Sequence, residues 1–147
     1  MNRWFYTQLW RIAPPLIRHY LKKRAVKSPA YLYHWGERFG EPFDRPVQRP
    51  IWVHAVSVGE TRAAQPLVEA LRRHFPDAPL LMTQMTPTGR AAAKELFPDA
   101  QCRYLPYDKP EWVAQFLKEH RPLFGVLMET EIWPNLMHAC ADAHVPL

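Results

Sequence analysis

The stretch Ile51-Trp52-Val53-His54-Ala55-Val56-Ser57-Val58-Gly59-Glu60 is almost continuously apolar for eight residues and then turns polar at a glycine. A short run of this kind, closed by a turn signal, is the pattern of a strand covered on both faces, as in a parallel sheet. Gly59-Glu60-Thr61 reads as the turn, and Ala64, Leu67, Val68, Leu71 and Phe75 put an apolar stripe on a helix that stops at Pro76. The unit then recurs. Residues 79–83, 101–105 and 123–128 read as strands, and residues 87–97 and the segment from Pro134 to about Ala143 as helices. Thr86 suits an N-cap and Pro87 the first helical position, where a missing N–H costs nothing. Asp108 and Glu111 form an Asp-x-x-Glu capping box ahead of a helix carrying Trp112, Val113, Phe116 and Leu117. Four strand–helix units with short connections predict an α/β fold, a Rossmann-like, doubly wound parallel sheet over residues 51–147. The last helix ends where a fifth strand would begin, so the chain is expected to be a fragment or a truncated product.

Composition agrees with a packed domain. The chain has 147 residues, 48% hydrophobic and 22% charged, enough to bury a sizeable core without disulfides. Cys102 and Cys140 lack zinc-ligand spacing and read as reduced core residues. Sixteen prolines argue for short elements with hard stops. Charge is divided unevenly: residues 1–50 hold ten basic and three acidic side chains, whereas residues 51–147 hold nine and eleven. All seven charges of residues 1–27 are positive, which implies a polyanionic surface near the N-terminus.

That segment, residues 1–27, reads as a basic amphipathic arm. Phe5, Leu9, Ile12, Leu16 and Tyr20 make an apolar stripe, and Arg11, Arg18 and Lys22 fall elsewhere around the helix. Pro14-Pro15 are expected to break any continuous helix, and the arginines leave no uninterrupted apolar run long enough to span a bilayer. The expectation is an interfacial segment on an anionic membrane surface, with a helix docked on its own domain or on a missing partner domain as the alternative. No cleavage site marks a signal peptide, and no reading motif accompanies the charge to suggest nucleic acid. Residues 28–50 read as a Pro-rich connector with Trp35-Gly36-Glu37-Arg38 as one structured piece.

Ligands of such sheets bind beyond the carboxyl ends of the strands. The loops there carry Ser57, Gly59 and Glu60; Thr83, Thr86, Thr88 and Gly89; Tyr107 and Asp108; and Glu129, Thr130 and Glu131. No GxGxxG, P-loop or GxSxG pattern is present, so neither a dinucleotide nor a serine hydrolase is indicated. Glu60, at a helix start, is the candidate general base, since the helix dipole and free N–H groups favour its carboxylate; an ordinary helix-start glutamate is the alternative. Glu129 and Glu131 face opposite sides in extended chain, so one at most shares a pocket with Glu60 and the other reads as structural. The hydroxyls of Thr86 and Thr88 beside Gly89 suit a sugar or a phosphate, or simply a capped turn. His54 reads as a hydrogen-bonded core residue.

Val56-Ser57-Val58-Gly59-Glu60, Met85-Thr86-Pro87-Thr88-Gly89, Tyr104-Leu105-Pro106-Tyr107-Asp108 and Met128-Glu129-Thr130-Glu131-Ile132-Trp133-Pro134-Asn135 closely resemble, in order and spacing, the N-terminal domain of 3-deoxy-D-manno-octulosonic acid (Kdo) transferases of lipopolysaccharide synthesis. Trp35-Gly36-Glu37-Arg38-Phe39-Gly40 and the arm look like that family too. The resemblance implies the N-terminal half of a GT-B glycosyltransferase, inverting transfer of Kdo from CMP-Kdo to a lipid A precursor, no catalytic metal or other cofactor, and attachment to the cytoplasmic face of the inner membrane. It places the catalytic base at Glu60, an assisting glutamate at Glu129, and substrate contacts at Ser57, Gly59, Thr86, Thr88 and Gly89. The donor-binding C-terminal domain of the family is absent from these residues, so the chain alone is expected to be inactive. A GT-B transferase for another sugar and a non-catalytic membrane-associated fragment or interaction module are the competing readings.

Overall fold

The computed structural model describes residues 2–129 and 132–147. Strand β1 (Ile51–His54) lies at the centre of a four-stranded sheet, and all four of its residues are buried. It pairs in parallel with β2 (Leu80–Gln84), Ile51 opposite Leu80, and with β4 (Phe124–Leu127), Ile51 opposite Phe124. Strand β3 (Gln101–Tyr104) pairs in parallel with β2, giving the order β3-β2-β1-β4. The pleat then separates two cores. Trp52 packs with Leu81, Phe116 and Leu136 beneath α6 (Pro110–His120) and α7 (Pro134–Asp142). Val53 packs with Val68, Met82 and Ala93 beneath α4 (Gln65–His74) and α5 (Pro87–Leu96). The parallel α/β fold expected from the apolar run is therefore present, with both cysteines free and buried.

Several boundaries differ from the sequence reading, each for an identifiable reason. Strand β1 stops at His54, and Ser57 is already the N-cap of α3 (Val58–Ala63), so Gly59-Glu60-Thr61 is helix rather than turn. The helix read from the Ala64–Phe75 stripe is α4, and it is separate from α3: Pro66, in the first turn of α4, has no N–H for the Arg62 carbonyl, and the chain breaks at Ala64. The Asp108–Glu111 capping box does not form. Lys109 is the N-cap of α6 without a side-chain bond, while Asp108 accepts from the backbone N–H groups of Asn135 (3.0 Å) and Leu136 (2.7 Å) and so caps α7. The Thr86 cap is as read, accepting from Gly89 N–H at 3.1 Å.

The arm is one continuous helix, α1 (Arg3–Lys27), with Pro14 and Pro15 inside it, contrary to the expected break. Two lost ladder bonds are offset by docking. Tyr6 Oη donates to Asp108 (2.8 Å), Arg3 Nε and Thr7 Oγ1 donate to Asn135 (3.1 and 3.0 Å), and Trp10 stacks on Tyr107. Arg18 lies over the Phe39 ring at 4.6 Å, and Pro14, Leu21 and Ala25 are buried. The helix thus turns Tyr6, Trp10, Pro14, Leu21 and Ala25 inward, with the exposed Arg18 at the margin of that face. The stripe read in the sequence faces out: Phe5, Leu9, Ile12, Leu16 and Tyr20 are 50 to 68% exposed.

The connector is ordered by contacts to the sheet. It contains a 3₁₀ turn (Pro29–Leu32) and α2 (Trp35–Arg38), the piece singled out from the sequence. Phe43 N–H donates to Glu119, whose carboxylate also takes the buried Arg103 at 2.8 Å. Arg103 Nη1 also lies 3.1 Å from His120 Nε2, and His120 Nδ1 lies 2.9 Å from the Val47 carbonyl. A guanidinium only donates and a carbonyl only accepts, so His120 is the neutral Nδ1–H tautomer.

Burial holds both His54 and His120 down at about 4. An unfolded imidazole titrates near 6.5, so between those values the unfolded chain binds protons that the native one does not. Stability is complete above the unfolded value and is lost as pH falls, by roughly 3 kcal/mol per imidazole at about 1.4 kcal/mol per pKa unit. The urea midpoint should drop between pH 7 and pH 5, and His120→Gln should shrink that drop. Identical pH dependence in the two proteins would show that His120 does not carry it.

Candidate functional site

The carboxyl ends of the four strands open onto one edge, and the first two loops there are joined. The Val56 carbonyl accepts from Met85 N–H (3.1 Å), Thr86 N–H (3.3 Å) and Thr86 Oγ1 (3.3 Å). Thr86 therefore ties its loop to the one before α3 while capping α5. Gly89 is buried in this junction: a Cβ there would lie 2.9 Å from Thr86 Oγ1 and 3.1 Å from Val56 O and from Ser57 C. Thr88 is exposed beside it.

Glu60 stands at the third position of α3, half-buried. Its Oε2 accepts from Val56 N–H at 2.8 Å and its Oε1 from Ser57 Oγ at 3.1 Å. Ser57 thus spends its hydroxyl on the carboxylate and makes no side-chain cap of its own. Each carboxylate oxygen keeps a second acceptor position. Above them Gly59 is exposed, and a Cβ there would meet nothing nearer than Ser57 Oγ at 4.0 Å.

Glu129 belongs to the same edge on the far side of β1. Met128 N–H donates to the His54 carbonyl at 2.9 Å, and Glu129 follows exposed, at φ +59°. A glutamate in the left-handed region is strained by about 1 kcal/mol or more, and such strain concentrates at functional sites. Thr130 and Glu131 lie outside the described residues, and with them the structural role expected of Glu131.

The remaining edge residues are structural. Thr83 is buried, accepts from Trp52 Nε1 at 2.8 Å and lies 2.8 Å from His54 Nδ1, so His54 is the hydrogen-bonded core residue it was read as. Asp108 is spent on α7 and on Tyr6. Three groups were missed. Arg38 Nη1 donates to the Met85 carbonyl at 2.8 Å, and Glu37 pairs with Arg90 just behind Gly89. A cavity of about 190 Å³ between α1 and the edge is lined by Tyr6, Trp10, Tyr107 and Trp133, residues too far apart in the chain for spacing to join them. The larger groove, about 560 Å³ between α6 and α7, contains none of the candidate residues. Among the described residues no three His, Cys, Asp or Glu side chains are placed to hold a metal ion.

The sequence pattern of the 3-deoxy-D-manno-octulosonic-acid transferase (kdotransferase) family matches residues 33–147. A 3-deoxy-D-manno-octulosonic acid transferase of Bordetella pertussis is 43% identical over 157 residues, covering 100% of this chain and 36% of its own length. That of Haemophilus influenzae is 39% identical over 149 residues, covering 99% and 35%. A probable mitochondrial one of Arabidopsis thaliana is 34% identical over 135 residues, covering 90% and 30%. The chain spans about a third of the length of these curated relatives.

The two site glycines should respond differently to substitution. Gly89→Ala drives a methyl against backbone and should cost roughly 1–3 kcal/mol, as overpacking does. Gly59→Ala meets open space inside α3 and should leave stability unchanged or raise it by up to about 1 kcal/mol. Chemical denaturation of both variants checks this, and equal stabilities would refute the steric account of Gly89.

Proposed function

Because the chain belongs to the 3-deoxy-D-manno-octulosonic acid transferase family, we propose that it forms the acceptor side of a GT-B enzyme transferring Kdo from CMP-Kdo to a lipid A precursor in lipopolysaccharide synthesis, with inversion. The observation that supports this reading best is the junction at Val56. It sets the Glu60 carboxylate beside the Thr86-Pro87-Thr88-Gly89 turn at the edge where parallel α/β sheets take ligands. In the proposed reaction Glu60 takes the proton of the acceptor hydroxyl as its oxygen bonds to the anomeric carbon. The bond from that carbon to the CMP phosphate oxygen breaks on the opposite face, and CMP leaves with the electron pair. Glu129 stabilises the positive charge that develops on the sugar. Ser57 orients the base, Gly59 leaves room above it, and Thr86, Thr88 and Gly89 line the substrate. The donor's nucleotide is held by a second domain, outside these 147 residues.

The arm places the enzyme on an anionic membrane surface, at the cytoplasmic face of the inner membrane. No helix among the described residues is long and apolar enough to cross a bilayer. An outward apolar stripe on a helix whose charges are all positive suits the headgroup boundary instead.

Two experiments test these assignments in the product of the complete reading frame. Glu60→Gln can still accept the Val56 N–H at its amide oxygen and donate its NH2 to Ser57 Oγ but takes no proton, so turnover under saturating donor and acceptor should fall about 10²- to 10⁴-fold with the melting temperature nearly unchanged. Glu129→Gln should also slow turnover. Near-wild-type turnover in a folded Glu60→Gln protein would leave Glu60 a helix-start residue. Separately, replacing Leu9, Ile12 and Leu16 together by serine removes only exposed apolar surface, so the protein should stay folded and lose co-sedimentation with anionic vesicles. Retained binding would sink the interfacial arm.

A further inference from the structure

Three buried arginines, Arg38, Arg90 and Arg103, stand outside the mechanism above, and two of them are paired with glutamates. Arg38, the last residue of α2, is fully buried at the carboxyl edge of the sheet and, among the described residues, forms no ion pair with a carboxylate. Its guanidinium lies flat enough on Tyr104 to stand 3.7 Å from the ring centroid, and Nη1 donates to the Met85 carbonyl at 2.8 Å. Its own carbonyl accepts from Tyr107 N–H at 3.0 Å. A four-residue helix in the connector thus grips the loop after β2 and the loop after β3 at once.

The grip continues to the base. The Met85 carbonyl belongs to the same peptide unit as Thr86 N–H, which donates to the Val56 carbonyl at 3.3 Å, while Val56 N–H donates to Glu60 Oε2 at 2.8 Å. A charged donor polarises the peptide it binds and strengthens the bond that peptide makes on its other side. Glu37 reinforces the arrangement from the same helix. Its carboxylate takes Arg90, at the end of the first turn of α5, with Nη2 to Oε1 at 3.1 Å, and accepts Tyr104 N–H at 2.9 Å. The start of α5 is thereby fixed relative to α2 at two points, Met85 and Arg90.

We infer that Arg38 is a positioning residue for the Glu60 carboxylate, acting through the Met85–Thr86 peptide and Val56. It touches no substrate. Its effect on rate rests on the transferase reading above, whereas its effect on the loops does not, so the two are read separately.

The test compares Arg38→Met and Arg38→Lys with wild type in the product of the complete reading frame. Lysine keeps the charge and one donor, so it guards against a methionine variant that does not fold. Amide hydrogen exchange is followed at Val56, Met85 and Thr86, with Val53 and Met82 inside the strands as internal references. Arg38→Met should speed exchange at the three loop amides about tenfold or more without changing the strand amides, since the loss is local. In transfer assays its kcat per folded molecule should fall about tenfold or more with KM for both substrates within about twofold, the mark of a disturbed reacting group rather than lost binding. Arg38→Lys should recover part of both. Loop amides that exchange as in wild type, or exchange that rises equally in loops and strands with kcat per folded molecule unchanged, would overturn the inference. Should wild type itself transfer no Kdo, the transferase reading fails and the exchange data alone decide whether Arg38 holds the loops.

Discussion

One carbonyl oxygen carries the site. Val56 O receives two backbone N–H groups and a hydroxyl from the loop after β2, and the same residue's N–H reaches back to the Glu60 carboxylate. The approach this demands is close enough that residue 89 has no room for a side chain. Everything chemical on the first two loops follows from that contact. Glu60 takes its direction from it, Thr86 its hydroxyl orientation, and α5 the position of its first turn. The sheet beneath supplies the rigid base, because β1 is paired on both edges and buried on both faces.

The connector contributes charges that a linker would not. Arg38 is fully buried, and Glu37 holds Arg90 of α5 while accepting the Tyr104 N–H, just as Glu119 of α6 holds Arg103 of β3 while accepting the Phe43 N–H of the connector. Removing one partner of such a pair costs roughly 3–5 kcal/mol, because the other is left charged and dry. That asymmetry makes the connector obligatory once the charges are in place. It binds the two loops of the site on one side and the end of α6 on the other.

What could be read from the sequence was local. The apolar run at Ile51, the Thr86-Pro87 cap and the Pro134 helix start each declare themselves within a few residues, and each is present. Failures came where a partner far along the chain decided the outcome. Asp108 sits three residues before a glutamate, yet its carboxylate is claimed by Asn135 and Leu136. Pro14-Pro15 ought to end a helix, but the inward face of α1 is held to the domain at Tyr6, Trp10 and Arg18, and the helix runs through. That face also explains why only one stripe was seen: it contains a proline, has an arginine at its margin and so does not read as apolar. The candidate residues of the first two loops were legible as a set, but the bond network joining them to Arg38 was not, because it crosses from the connector to two other loops.

The order of strands also governs how the chain can assemble. The fully buried members of the core beneath α4 and α5 end at Cys102, with Val126 and Met128 packing on it later, whereas the core beneath α6 and α7 draws its buried residues from as far as Leu136, Cys140 and Val145. Strand β1 meets β2 early and β4 only after six intervening elements, β2 among them, have been made. During synthesis the future centre of the sheet is therefore an edge, with a row of backbone donors and acceptors open to any other extended chain. Closing that edge requires the longest loop among the strand pairings, the slowest kind of step in folding. The half of the sheet that bears Glu60 and Thr86 can form early, and the half that bears Glu129 joins it last.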